Sequence, residues 1–166
     1  MVKTSNLNIN FDIKLSEKQD LALLALKKTP ILFYGGSKGG GKSYLVRVRE
    51  VLRRMTYPGT KGLIVRKTFP ELVSNHIRKF FEEYPETAQW YKQSEKAIYW
   101  PNGSITEFSY LQNLDDVYTY QGREYEDISI DEVTQHTEYT FKILRSSNRT
   151  TNPNITPNML LTGNPG

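Results

Sequence analysis

The feature that most constrains this chain is a glycine-rich segment, GSKGGGKS, at residues 36–43. It matches the pattern G-x-x-x-x-G-K-[ST] at every fixed position. A short apolar run at 31–34 precedes it, and a segment with helical periodicity at 42–56 follows it. Glycines let the backbone curl so that successive N–H groups point inward, and the start of the next helix adds its positive dipole end. This order of strand, loop and helix predicts a phosphate-binding loop in an α/β fold.

The residue types in the loop predict the chemistry of a nucleoside triphosphate site. Lys42 is expected to reach the β- and γ-phosphates, and the hydroxyl of Ser43 is expected to coordinate Mg²⁺. Lys38 is a second cation in the loop, either a solvated lysine or a contact to the γ-phosphate. The nucleotide-binding candidates in this loop are Gly36, Ser37, Lys38, Gly39, Gly40, Gly41, Lys42 and Ser43.

A pair of acids ends a second apolar run, Ile128-Ser129-Ile130-Asp131-Glu132. At the end of a buried strand beside a phosphate loop, Asp131 is expected to hold Mg²⁺ through its water shell. Glu132 should point elsewhere, toward the γ-phosphate, where it would orient and deprotonate the attacking water. An adjacent glutamate is typical of motor and remodelling ATPases and generally absent from nucleotide kinases and small GTPases. The strand predicted at 62–65, between the two motifs, fits the added-strand arrangement of those motors.

The other segments alternate between strand and helix patterns. Helices are predicted at 16–28, 42–56, 70–84 and 137–147. In the first of these, Ser16 is the expected N-cap, and Leu21, Leu24 and Ala25 lie on one face. Leu45, Val48, Leu52 and Met55 form the expected core-facing stripe of the second helix, and Val73, Ile77, Phe80 and Tyr84 that of the third. Further strands are expected at 128–130 and 159–162, and a hairpin is expected at 97–100 and 104–110 around Pro101-Asn102-Gly103. The fold class is therefore α/β, with a mainly parallel sheet in three layers.

Composition excludes several kinds of site. The chain has no cysteine and two histidines, so thiol catalysis and cysteine-ligated metal centres are excluded. Its net charge of +4 hides two opposed blocks, net +8 over residues 42–79 and net −8 over 107–138. No segment approaches the roughly 18 apolar residues of a membrane span, and no signal peptide is visible. The expected compartment is the cytoplasm.

The order of motifs resembles the ATPase domain of the large terminase subunit, the motor that packs DNA into tailed-phage and herpesvirus capsids. Gln19 resembles the adenine-recognising glutamine upstream of the phosphate loop, and Gln121-Gly122-Arg123 resembles the arginine-bearing segment before the acid pair. Ile64-Val65-Arg66-Lys67 is similar to the family's strand ending in a basic residue, and the hairpin is where terminases carry one. Thr162-Gly163-Asn164-Pro165 resembles the coupling motif and contributes most to the resemblance. The resemblance implies a P-loop NTPase fold of the RecA-like (ASCE) type with an inserted β-hairpin.

The resemblance also implies roles, each with a plainer alternative. Arg123 would be an arginine finger acting on a neighbouring subunit's ATP, or an ion-pair partner of Glu124 or Glu126. Thr162 and Asn164 would sense the γ-phosphate, although Asn164-Pro165 could be a plain turn. Gln19 could be merely solvated, and Arg66 is expected to brace its strand end rather than contact nucleotide or DNA. Arg145 and Arg149 resemble basic positions of the family that contact a neighbour or DNA, His76 is expected to be structural, and His136 shows no partner pattern.

The implied function is Mg²⁺-dependent ATP hydrolysis that drives double-stranded DNA into a procapsid. The implied partners are double-stranded DNA, the portal protein and the small terminase subunit. The chain is expected to be a monomer in isolation and to form a homo-oligomeric ring on the portal. We expect one ATPase domain over residues 1–166, truncated at its C-terminal end and without a nuclease domain. The alternatives are a superfamily-2 helicase-like or other DNA-remodelling ATPase, and a non-enzymatic module in which ATP only switches a conformation.

Overall fold

The computed structural model describes residues 11–39 and 41–164. Its centre is a seven-stranded sheet in the order β1-β7-β6-β2-β5-β4-β3. The strands are β1 (Ile31–Gly35), β2 (Lys61–Arg66), β3 (Tyr91–Lys92), β4 (Ala97–Tyr99), β5 (Ile105–Tyr110), β6 (Asp127–Ile130) and β7 (Asn158–Gly163). From β1 to β5 every neighbouring pair is parallel, while β4 and β3 extend that edge antiparallel. The mainly parallel sheet and the hairpin β4–β5 are confirmed.

Helices cover both faces of the sheet. They are α1 (Glu17–Leu26), α2 (Lys42–Thr56), α3 (Phe69–Leu72), α4 (Arg78–Glu83), α5 (Leu114–Tyr118) and α6 (Glu138–Ser147). A π-helical turn at Val73–Ile77 joins α3 to α4, and 3₁₀ turns occupy Pro85–Trp90 and Val133–Gln135. Within β2, Ile64 packs with α1 to α4, whereas Leu63 and Val65 pack with α5 and α6. This alternation of buried side chains produces the three predicted layers.

The strand inserted between the phosphate-loop strand and the acid-pair strand is β7, the last in sequence. The strand that we expected to supply the added-strand arrangement, 62–65, lies within β2 on the far side of β6. The motor-type order is therefore present, but another strand provides it. This placement puts the end of β7 between the ends of β1 and β6, where a phosphate would lie.

The predicted core face of α1 is wrong. Leu21 and Leu24 are exposed at 59% and 55%, while Ala22 and Leu26 are buried. Ser16 does cap the helix, through a reciprocal pair of hydrogen bonds with Gln19. Leu52, assigned to the core stripe of α2, is likewise exposed. No helix in the described part of the chain is both long and apolar enough to cross a membrane.

Candidate functional site

The phosphate loop runs from the end of β1 into the first turn of α2. Gly39 and Gly41 have φ values of 86° and 70°, a left-handed backbone that glycine adopts without a steric cost. Gly40 lies outside the described residues, and Lys38 is exposed. Lys42 is buried, and its Nζ donates to the carbonyls of Gly36 at 3.0 Å and Ser37 at 2.9 Å. The loop therefore wraps around its own lysine, while the expected contact of Lys42 with the phosphates stays a prediction.

Asp131 follows β6 and is fully buried beside Ser43. The hydroxyl of Ser43 donates to Oδ2 of Asp131 at 2.7 Å, and the hydroxyl of Thr162 donates to Oδ1. Burial alone would raise the pKa of Asp131, but the hydrogen bond and charge interaction with His76, together with hydrogen bonds from Thr162 and Ser43, outweigh it and hold the pKa well below its usual range. The carboxylate is therefore ionised, as a ligand for a cation must be.

The end of β7 supplies the third part of the site. Asn164 accepts a hydrogen bond from Lys42 through Oδ1 at 2.9 Å, and Thr162 contacts Asp131. The Thr162-Gly163-Asn164 segment is thus bonded to both the phosphate-loop lysine and the acid of β6. The plain-turn alternative for Asn164 does not account for the bond to Lys42. Pro165, the last residue of the predicted coupling motif, lies outside the described residues.

Glu132 follows Asp131 with φ 54° and ψ 53°, a left-handed conformation that is uncommon for a residue with a side chain. Its side chain is half-buried. Within residues 11–39 and 41–164, no side chain is hydrogen-bonded or ion-paired to its carboxylate. An ionisable group with backbone strain and without a structural partner is available for chemistry.

Gln19 is buried and fully engaged, so the solvated alternative is wrong. Its Oε1 accepts from the N–H of Ser16 at 2.9 Å, and its Nε2 donates to the carbonyl of Gly41 at 3.1 Å. Lys18, which the sequence did not single out, donates to the carbonyl of Gly35 at 2.7 Å. Both contacts fix the first turn of α1 against the two ends of the phosphate loop.

Two basic residues from the α1–α4 face contact Asp131. Arg66, at the end of β2, places Nη1 at 3.3 Å from Oδ2 of Asp131 and Nη2 at 3.5 Å from Glu71. His76 is buried, and its Nε2 is 2.8 Å from the same Oδ2. The expectation that Arg66 braces its strand end agrees with these contacts. His76 was expected to be structural only, and no signal in the sequence indicated its contact with the acid.

Arg123 lies near the amino end of β6, whereas the phosphate loop lies at the carboxyl ends of the strands. Its segment leads into Asp127, the first residue of β6, whereas the site lies at the other end of that strand. Arg123 pairs with Glu107 at 3.8 Å, so the suggested partners Glu124 and Glu126 are wrong. Glu124 pairs instead with Arg149, and Arg145 donates to Asn148. The structure therefore does not bring Arg123 to the site of its own chain.

The donor set at Asp131 fits Mg²⁺. Ser43 and Thr162 contribute hydroxyls beside a buried, ionised carboxylate, which are the hard oxygen ligands that Mg²⁺ prefers. Among the described residues no three His, Cys, Asp or Glu side chains form a ready-made metal cage. Mg²⁺ characteristically binds through one or two protein oxygens together with water and substrate phosphates, so a sparse site is what it requires.

A family model described as phage terminase large subunit matches residues 28–166. The chain belongs to the phage terminase large subunit family. The comparison with curated proteins finds no match. The fold of this terminase chain is similar to that of the HK97 bacteriophage large terminase, with a TM-score of 0.68 and 14% identity over 91% of the chain.

Two further terminase-related structures share the fold. The large terminase of a thermophilic bacteriophage, in complex with ATP-γ-S, gives a TM-score of 0.63 at 16% identity over 90% of this chain. The N-terminal domain of the DNA packaging ATPase of bacteriophage phi29 gives 0.56 at 18% identity over 89%. This chain spans 33% of the HK97 protein, 38% of the thermophilic phage protein and 78% of the phi29 domain. The described site therefore belongs to the portion of a terminase that carries the P-loop NTPase fold.

Proposed function

We propose that this chain is the ATP-hydrolysing motor domain of a phage large terminase, which powers translocation of double-stranded DNA into a procapsid. The observation that carries the proposal is the convergence of three strand ends on one position. Two hydrogen-bonded groups, Lys42 with Asn164 and Asp131 with Ser43 and Thr162, lie beside each other at the carboxyl ends of β1, β6 and β7. Ligands of open α/β sheets bind at the carboxyl ends of the strands.

The residues of the set divide the work of phosphoryl transfer. Lys42 and the N–H groups of the loop neutralise the β- and γ-phosphates, and Gln19 keeps the loop in place through Gly41. Ser43 and Asp131 would hold Mg²⁺, which when bound supplies charge neutralisation at the phosphate oxygens. Glu132 orients the attacking water and accepts its proton. Asn164 accepts a hydrogen bond from Lys42, and this contact couples the phosphate-binding lysine to the end of β7.

Arg123 is proposed to act on a neighbouring subunit. Its side chain is 51% exposed and it lies away from its own phosphate loop, as a residue that completes a second site must. This role needs a homo-oligomeric ring, which we propose forms on the portal protein with the small terminase subunit as a further partner. DNA would be held by its phosphate backbone, because a packaging motor must ignore sequence.

Phosphate release from ATP tests the proposal. Glu132→Gln should reduce the rate by about 10²–10⁴ without loss of ATP-γ-S binding, because only the base is removed. Glu82→Gln, a substitution of an exposed glutamate on α4, is the matched control and should leave the rate unchanged. Hydrolysis is measured with the chain free, concentrated and bound to portal. ATP binding without hydrolysis in all three conditions would indicate a nucleotide-driven switch, and DNA-dependent strand separation would indicate the helicase alternative.

A further inference from the structure

His76 lies on the π-helical turn between α3 and α4, where the helix has one more residue per turn than an α-helix. Such turns often mark functional sites, because the extra residue redirects the side chains near it. The turn is anchored from α2, where Arg47 donates to the carbonyl of Asn75 and to both carboxylate oxygens of Glu83. His76 is 0% exposed, and its Nε2 is 2.8 Å from Oδ2 of Asp131. A local irregularity of the helix therefore brings a histidine to the acid of the nucleotide site.

The direction of the hydrogen bond at Nε2 follows from its partner. An ionised carboxylate only accepts hydrogen bonds, so Nε2 of His76 must carry the proton. Nδ1 has no hydrogen-bond partner within the described residues. The buried imidazole therefore orients Asp131 through a hydrogen bond donated by Nε2.

The four donors to Asp131 differ in what they can do when a metal binds. Ser43 donates to Oδ2 and is itself the hydroxyl that would ligate Mg²⁺, so the carboxylate would lose this hydrogen bond when the metal binds. Thr162 holds Oδ1, and Arg66 is 3.3 Å from Oδ2 while also facing Glu71. His76 is the shorter of the two remaining contacts to Oδ2.

We infer that His76 is a positioning residue of the Mg²⁺ site, which fixes the orientation of the Asp131 carboxylate through a hydrogen bond donated by Nε2. This inference rests on the proposed function, because it needs nucleotide and Mg²⁺ at Ser43 and Asp131. Residues that orient a metal ligand characteristically account for 10–100-fold in metal affinity. The effect should therefore be found in the Mg²⁺ dependence of nucleotide binding rather than in binding itself.

The test is equilibrium binding of ATP-γ-S to the full chain, with Mg²⁺ and with EDTA. The ratio of the two dissociation constants measures how much the metal contributes. His76→Gln, whose amide reaches about as far as Nε2, should keep that ratio within about 3-fold of wild type. His76→Asn is equally polar but one methylene shorter, and it should reduce the ratio by about 10–100-fold with unchanged affinity in EDTA. Both variants introduce an amide at the same buried position, so their comparison controls for polarity.

The outcomes separate this inference from the proposed function. Equal Mg²⁺ ratios for wild type, His76→Gln and His76→Asn would overturn the role of His76 while leaving the motor assignment intact. Absence of any Mg²⁺ effect in the wild type would overturn the proposed site itself. If His76→Asn does not fold, ¹⁵N NMR of the imidazole in the wild type decides the geometry. A protonated Nε2 that is protected from exchange supports the contact with Asp131, and an unprotonated Nε2 refutes it.

Discussion

Removal of the negative charge at Asp127 should destabilise the fold more than any loss of an exposed ion pair. Asp127 is 0% exposed at the start of β6, and three guanidinium groups of α2 converge on it. Arg53 contacts both carboxylate oxygens at 3.0 Å, Arg49 contacts Oδ1 at 3.1 Å, and Arg54 contacts Oδ2. Glu50 is the other acid in this cluster and pairs with Arg54 at 3.4 Å, and burial raises its pKa. Among the described acids, Asp127 alone pairs with all three arginines.

The size of the effect follows from these contacts. A hydrogen bond to a charged group contributes about 1.5–3 kcal/mol, so three arginines set an upper limit of about 5–9 kcal/mol. Asp127→Asn keeps one acceptor oxygen, and Arg49 keeps bonds to Ser129 and to the carbonyl of Asn158. The expected loss is therefore about 3–5 kcal/mol, which is typical for removal of one partner of a buried ion pair.

Urea unfolding monitored by the fluorescence of Trp90 and Trp100 measures this loss. With a denaturant slope of about 2 kcal/mol/M, the midpoint should fall by about 2 M. Glu138→Gln, which breaks an exposed pair with Lys142 at 3.0 Å, is the control and should cost less than about 0.5 kcal/mol. A loss below about 1 kcal/mol for Asp127→Asn would refute the view that this carboxylate compensates the arginines.

Two further predictions concern the interior. Gly62→Ala should lower the free energy of unfolding in urea by about 1–3 kcal/mol or more. A methyl group there would overlap the Glu50 carboxylate and Nη1 of Arg54, which are too buried to move away. An unchanged urea midpoint would show that these side chains leave room for a methyl group. Burial and the nearby Lys67 and Arg66 lower the pKa of His136 to about 4, and both ring nitrogens are without partners among the described residues. Because the unfolded chain then binds more protons between pH 6.5 and 4, the free energy of unfolding should fall by about 1–2 kcal/mol from pH 7 to pH 5. His136→Phe should make this slope shallower, and an equal slope in both proteins would contradict the shifted pKa.

The nucleotide site was largely predictable because motif spacing and strand direction are local properties. A glycine-rich loop after an apolar strand, and an acid at the end of another, must meet when both strands are parallel in one sheet. Lys42, Ser43 and Asp131 meet as expected. Glu132 stays a prediction as the catalytic base, since its free carboxylate is consistent with that role and no contact tests it.

The contacts that sequence could not provide depend on packing between distant elements. Leucines at 21, 23, 24 and 26 surround α1 on several sides, so periodicity does not choose its buried face. The choice is made by Gln19, which bonds to the phosphate loop and turns Ala22 and Leu26 inward. His76 is a similar case, because the orientation of its side chain depends on a π-helical turn that no residue pattern predicted.

The opposed charge blocks acquire a different meaning in the folded chain. Four arginines of the positive block at 42–79 are paired in the interior: Arg49, Arg53 and Arg54 converge on Asp127, and Arg66 contacts Asp131. Both acids belong to the negative block at 107–138, so part of each block is neutralised inside the protein. The same pairing connects α2 to the first residue of the strand that ends at Asp131. Four of the ten cations in the block at 42–79 thus help to fix the position of the site instead of forming an exposed surface.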